Sequence, residues 1–186
     1  MHKTVFLLLS TILPLCSPYV YVKSILRGIS KPHRTTRLVY LIIGLLTTTS
    51  LLASGNMTAL YISAASLIQS IILYGLSFRY GIGGWEMSSI VCLICALTGI
   101  AVWQITNNPL IGLYSGILAD LFGSIPTIIK TINVPHSEEP KFYAFDALAG
   151  LFNILAIPSY TFQSVSYPLY LVSINMTIAL LAVRKK

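Results

Sequence analysis

Lys and Arg fall in every second gap between the long apolar stretches of this chain, and that alternation constrains the fold more than any single motif. The stretches lie near 5–25, 36–54, 57–78, 87–107, 109–129, 142–160 and 165–183. Each has roughly the 17–25 residues a helix needs to cross a bilayer core. Lys23, Arg27, Lys31, Arg34 and Arg37 fill or flank the first gap, and Arg79 the third. Lys130 and Lys141 flank the fifth, and Arg184, Lys185 and Lys186 form the tail. Of the 12 basic residues only Lys3 falls on the other side. The positive-inside rule then predicts an outside N-terminus, a cytoplasmic C-terminus and an odd number of spans.

Hydrophobic residues make up 55% of the 186 positions and charged ones 9%, against about 25% charged in soluble domains. Too little polar surface remains for a soluble body. A net charge of +7 would suit nucleic acid, but topology and attraction to anionic cytoplasmic headgroups account for it. The expected partner surface is therefore the lipid bilayer, not nucleic acid. His2-Lys3 followed by an apolar run has the outline of a signal peptide. No small-x-small cleavage site follows, so the segment is expected to stay as the first span.

The chain also repeats itself. Ser17-Pro18-Tyr19, Lys23 and Lys31-Pro32 precede one long apolar run; Ser124-Ile125-Pro126, Lys130 and Glu139-Pro140 precede another, about 108 positions on. The expected fold is an all-α membrane protein of seven transmembrane helices. Residues 1–78 form one three-helix repeat, 79–107 a linker helix, and 108–186 a second repeat. The linker makes the two repeats parallel, a 3+1+3 plan of the kind seen in transporters.

The residues that carry a family likeness are spread over nearly the whole chain. They are Pro18-Tyr19, Arg27-Gly28, Lys31-Pro32-His33-Arg34, Tyr80-Gly81-Ile82-Gly83-Gly84-Trp85, Trp103 and Asn108-Pro109. Asp120-Leu121-Phe122-Gly123, Pro126-Thr127-Ile128, Lys130, Pro135 and Glu139 complete them. With the 3+1+3 layout they resemble the SWEET, semi-SWEET and PQ-loop transporter superfamily. The chain is more similar still to bacterial seven-span membrane proteins distantly related to that group. The resemblance implies a carrier for a small polar solute in the bacterial inner membrane, without cofactor or catalysis, and leaves homo-oligomerisation open. The Pro-Gln pair of PQ-loop proteins is absent, so sugar specificity does not carry over.

Asp120 is the sharpest candidate residue. With Lys130 at the end of its span it lies about 15 Å deep, where an ionised carboxylate costs about 2.5–3.5 kcal/mol. No basic residue sits at that depth. It is therefore neutral or faces a wet cavity, as a solute contact, a proton carrier or an internal helix clamp. Asn153, Gln69, Asn175, Ser66 and tyrosine hydroxyls are its candidate partners. Aligning Leu60-Tyr61 with Leu169-Tyr170 sets Ser66 opposite Asn175. SWEET-like carriers have an asparagine at about this place, so the resemblance implies that Asn175 contacts solute. The substrate-binding set expected is thus Asp120, Asn175, Asn153, Ser66 and Gln69, with Tyr19, Tyr21 and Tyr61 along the cavity.

Proline within a span deletes a helix hydrogen bond and bends the helix. Pro14, Pro18 and Pro126 are the expected hinges, with Pro158 near the outer end of the sixth span; static kinks are the alternative. Glu139 before Pro140 suits an N-cap. Glu138, Glu139 and Asp146 against Arg27 and Arg34 form the expected cytoplasmic gate. Trp85 and Trp103 read as headgroup anchors. Cys92 and Cys95 lie in an apolar span without further ligands, short of the four a zinc site takes, and the three histidines match no metal spacing. Two other classes stay open: a receptor or scaffold that uses its cytoplasmic loops, and a membrane enzyme, for which no nucleophile, base or metal cluster is evident.

Overall fold

Helix ends in this protein are set by a few residues with specific backbone chemistry. Gly28 (φ 74°) and Gly55 (φ 71°) close α1 (His2–Leu26) and α2 (Arg34–Ala53) in the left-handed region, and Asn107 (φ 51°) follows α4 (Met87–Thr106) in the same way. Glycine reaches that region without steric cost and asparagine tolerates it. Asn56 N–H then bonds Leu51 O at 3.1 Å, tying off α2. The Asn56 side chain starts α3 (Met57–Tyr80) by accepting Ala59 N–H at 3.2 Å. Asn108 precedes Pro109 at the head of α5 (Pro109–Asn133), and Glu139 precedes Pro140 at the head of α6 (Pro140–Ala156). Glu139 caps α6 by accepting Lys141 N–H at 3.4 Å. Thr161 and Ser164 form a reciprocal capping box that opens α7 (Phe162–Val183).

The computed structural model describes residues 2–28, 34–81, 87–135 and 138–184, without the side chains of residues 35, 36, 88, 89, 92, 126 and 130. Lys31, Pro32, His33, Trp85, Glu86 and His136 lie outside the described residues, as do the side chains of Pro126 and Lys130. Within them the protein is all-helical. Four helices, α1, α3, α5 and α7, are long and apolar enough to cross a membrane. The even-numbered ones fall short of the seven equal spans expected: the apolar stretches of α2 and α4 are Arg37–Ala53 and Leu93–Thr106, and α6 has 17 residues. Pro158 lies beyond α6, not inside it. The residue before a proline is pushed out of the helical region, and Ile157 takes φ −59°, ψ 126° as the C-cap.

Six helices form a ring in the order α1, α3, α2, α5, α7, α6 and back to α1. Both triples are built alike. The third helix of each packs on the first two, whose backbones stay apart: α3 on α1 and α2, α7 on α5 and α6. The triples meet chiefly at two seams, α1 on α6 and α2 on α5, and α3 also reaches α6 and α7. α4 lies outside the ring against α5 and α2. Neighbours consecutive in the chain run antiparallel, and so do both seams. On α1 and α6, Lys3 Nζ reaches Ile157 O (3.1 Å), Ser10 meets Asn153, Ser17 meets Asp146, and Tyr21 packs on Phe142. Odd-numbered helices thus run one way and even-numbered ones the other. Lys3 marks one end of the bundle, and Arg34, Arg79 and Arg184 the other.

The distribution of polarity is inverted relative to a protein made for water. Outward faces carry Leu8, Ile12 and Leu15 on α1, Ile68, Ile71 and Ile72 on α3, and Leu148, Leu151 and Leu155 on α6. Inside lie Ser10, Ser17, Ser24, Thr47, Ser50, Ser63, Gln69, Ser124, Thr131 and Asn153, all buried. An apolar exterior this continuous suits hydrocarbon, and buried polar groups joining helices are the usual glue of membrane bundles.

Candidate functional site

Serines recur every seven residues on one face of α1: Ser10, Ser17 and Ser24, all buried. Seven residues are close to two turns, so they share a stripe. On α6, Asp146 and Asn153 are also seven apart, and the antiparallel seam brings the two stripes together. Ser17 Oγ donates to Asp146 Oδ1 at 2.9 Å. Gln69 Nε2, from the middle of α3, donates to Asp146 Oδ2 at 3.0 Å and to Ser17 Oγ at 2.9 Å. Helices of both triples therefore converge on one carboxylate. Asp146, read as part of a gate, lies two turns inside α6 and belongs to this cluster.

Pro18 has no N–H to give the Pro14 carbonyl four residues back. Ser17 Oγ stands 3.3 Å from that carbonyl, so the same hydroxyl serves the kink of α1 and the carboxylate of α6. Membrane helices tolerate proline where a neighbouring hydroxyl takes up the freed group. Pro14 and Pro18 both lie inside α1, buried. A further internal proline, Pro168 in α7, escaped the sequence reading.

Polar residues continue around the ring. Thr48 of α2 and Ser63 of α3 share a hydrogen bond of 2.8 Å. Tyr167 of α7 bonds Ser63 and lies within electrostatic reach of both Asp120 and Asp146. Tyr170 Oη donates to Asp120 Oδ2, and Ser124 Oγ donates to Asp120 O at 2.9 Å. With Ser17, Gln69 and Asp146, every helix of the ring contributes to a polar band through the interior. Asp120 finds its partner within the second triple, on α7, one of the tyrosine hydroxyls expected.

Nearer the Lys3 end, Asn153 is fully buried. Its Nδ2 donates to Ser10 Oγ (3.2 Å) and Thr58 O (2.8 Å). Its Oδ1 is buried with no partner among the described residues. Below it, Leu51, Ala59, Ile62, Leu113, Ala149 and Tyr167 form an apolar plug from five helices. At the basic end, Arg37 of α2 donates to Tyr21 Oη of α1 at 2.9 Å and lies over the Tyr21 ring. Tyr143 of α6 donates to Glu138 at 3.1 Å, and Phe142 bridges the two tyrosines.

Other expected residues are placed elsewhere. Asn175 Nδ2 donates to Leu171 O of its own helix at 2.9 Å. Ser66 is half-buried and takes the Ser70 hydroxyl on its carbonyl. Arg34 bonds the Ser77 and Phe78 carbonyls at the end of α3 (3.0 and 3.1 Å) rather than an acid. Arg27 is exposed just past α1. Tyr19 and Tyr61 face outward, and only Tyr21 of the three expected cavity tyrosines is buried. Trp103 packs on the backbone of Gly112, so it joins α4 to α5. Among the described residues no three His, Cys, Asp or Glu come together as metal ligands.

Protein-family models, curated proteins and solved structures give no match to this chain. The reading of function rests on the geometry.

Proposed function

We propose that this protein is a seven-span membrane carrier that moves a small polar solute between two three-helix bundles by alternating access. The observation that carries the reading is the cluster of Ser17, Gln69 and Asp146, built from both triples at a seam between them. A carboxylate held jointly by two bodies is one whose surroundings change when the bodies move apart. The antiparallel threading supports it too: with α1, α3, α5 and α7 spanning one way, α2, α4 and α6 must carry the chain back. The basic end then faces the cytoplasm, where anionic headgroups attract it, and the Lys3 end faces outward.

In this reading Asp146 and Gln69 contact the solute, with Tyr167 on the facing helix. The apolar plug closes the outer side. Arg37, Tyr21, Tyr143 and Glu138 close the inner side, where Tyr21 of α1 stands between Arg37 of α2 and Phe142 of α6. Gate closure by Arg37 replaces the role sought in Arg27 and Arg34. Asp120, tied to Tyr170 inside the second bundle, acts as its clamp and keeps that bundle rigid as it rocks.

A thermal-shift screen tests this, using purified protein beside Asp146→Asn and spanning sugars, amino acids, vitamins and nucleosides. A compound that raises the melting temperature of the native protein but not the variant identifies the solute class. If none does, and the variant is merely less stable, a second reading gains. The Asp120–Tyr170 bond favours it: a scaffold or receptor whose buried acids only join helices.

A further inference from the structure

The two seams occupy equivalent places in the repeat, yet their chemistry has diverged. At the α2–α5 seam the glycines of α5 lie hard against side chains of α2. A Cβ on Gly116 would stand 2.5 Å from Thr47 Oγ1, and one on Gly112 would collide with Ser50 and the Trp103 ring. Val39, Ile43 and Leu46 of α2 pack with Ala96 of α4 and Ala119 of α5. α4 grips both helices of this seam, and a Cβ on its Gly99 would run into Ser115 of α5. Separating α2 from α5 would break close packing on three helices at once.

The α1–α6 seam has no glycine packing of this kind, and α3 crosses it through the hydrogen bonds of Gln69 and Thr58. Ring pairs close its two ends, Phe6 on Phe152 and Tyr21 on Phe142, and between them it is held by hydroxyl, amide and carboxyl groups of the kind that exchange partners readily. It also contains a group with an unmet need. Asn153 Oδ1 is a fully buried acceptor with no donor among the described residues, while both of its amide protons are used. A buried acceptor left open costs about 1–3 kcal/mol, and only an N–H or O–H can relieve it. Deeper on the same stripe, Asp146 presents two more acceptor oxygens.

We propose that the α1–α6 seam alone opens to the solute while α2–α5 stays a permanent joint, and that Asn153 Oδ1 is an outer subsite accepting an N–H donor from an amine-bearing solute. This rests on the carrier reading above. It adds which seam moves and what the solute must carry: a donor for Asn153, then a second for Asp146.

Ser10 and Thr47 make a matched pair of probes. Both are buried, they lie at similar depth from the Lys3 end, and each sits on one seam. In a variant with Cys16, Cys92 and Cys95 replaced by serine, Ser10→Cys and Thr47→Cys are reconstituted separately in vesicles. They are treated with 2-aminoethyl methanethiosulfonate, a water-borne ammonium. Ser10→Cys should react about tenfold faster or more. Equal rates would mean that both seams open, ending the inference and leaving the carrier reading intact. No reaction at either position would end both.

The donor claim is tested in the Ser10→Cys protein by comparing that reagent with methyl methanethiosulfonate, which has no N–H. Asn153→Leu should bring the ammonium-to-methyl rate ratio down to that of free cysteine, and Asn153→Asp should raise it. A ratio unmoved by both changes would remove Asn153 as the recognition group.

Discussion

Ser17 and Asp146 are 129 residues apart in sequence and 2.9 Å apart in space, joined across the boundary between the two helix triples. Asp146→Asn leaves a group that can face Ser17 or Gln69 but not satisfy both donors. It should lower stability by about 1 kcal/mol, within the range of interhelical hydrogen bonds in membranes. Asp146→Leu removes both bonds to the carboxylate, leaving Gln69 on Ser17 Oγ and Ser17 to the Pro14 carbonyl, and should cost about 2 kcal/mol. Unfolding in mixed micelles, followed by tryptophan fluorescence, measures both. Loss of solute binding in the Asn variant would exceed its loss of stability.

Asp120 and Tyr170 should behave as a closed pair. Asp120→Leu and Tyr170→Phe each remove the same bond, so the double variant should be no worse than the poorer single one. The coupling expected from a double-mutant cycle is about 0.6 kcal/mol and at most about 1.7. Additive losses would show that Asp120 has a partner other than Tyr170.

Close helix approach at two glycines, and open space at a third, give a contrast in size tolerance. Gly116→Leu at the α2–α5 seam and Gly150→Leu, where Val172 and the Pro168 carbonyl stand against α6, should each lose about 1–3 kcal/mol by overpacking. Gly75→Leu, where a Cβ meets nothing within 4 Å, should be close to neutral. Melting temperatures in detergent rank the three.

Asn153→Leu should be nearly neutral for stability. It forfeits two interhelical bonds at about 0.6 kcal/mol each and removes one buried acceptor whose isolation costs about as much. A residue that contributes little to stability at a fully buried position is better explained by what it binds. A large loss in the same unfolding assay would instead make it a structural tie.

Arg37→Lys should fail to restore what Arg37→Ala removes. A planar guanidinium lies over the Tyr21 ring while one nitrogen bonds the hydroxyl, a geometry an ammonium cannot copy. Both variants should speed maleimide labelling of Ser24→Cys from the basic side in the cysteine-free protein.

Helix positions were legible because apolar length and turn chemistry are local. The gaps at 55–56 and 108 between apolar stretches, and the Glu139-Pro140 cap, lie at helix boundaries as expected. Pro158 misled by two residues, since the sequence shows a proline near a span end without saying on which side of it. Asp146 was drawn to the gate by nearness to Glu138 and Glu139, whereas its true neighbours come from α1 and α3. The seven-residue spacing of Ser10, Ser17 and Ser24, matched by Asp146 and Asn153, was present to be read. Its meaning depends on α1 facing α6, a pairing of distant segments that no local pattern encodes. Asn175 shows a related point: the sequence cannot tell that its Nδ2 donates to Leu171 O of its own helix, since a mid-span amide satisfies its own helix as easily as a neighbour.

The hydroxyl of Ser17 has a single proton and two takers, the carbonyl that Pro18 leaves open and the carboxylate of Asp146. Whichever acceptor holds it, the other goes without. Release from Asp146 frees the O–H for the carbonyl at the bend, so attachment of α1 to α6 and hydrogen bonding at its own proline are alternative uses of one O–H bond.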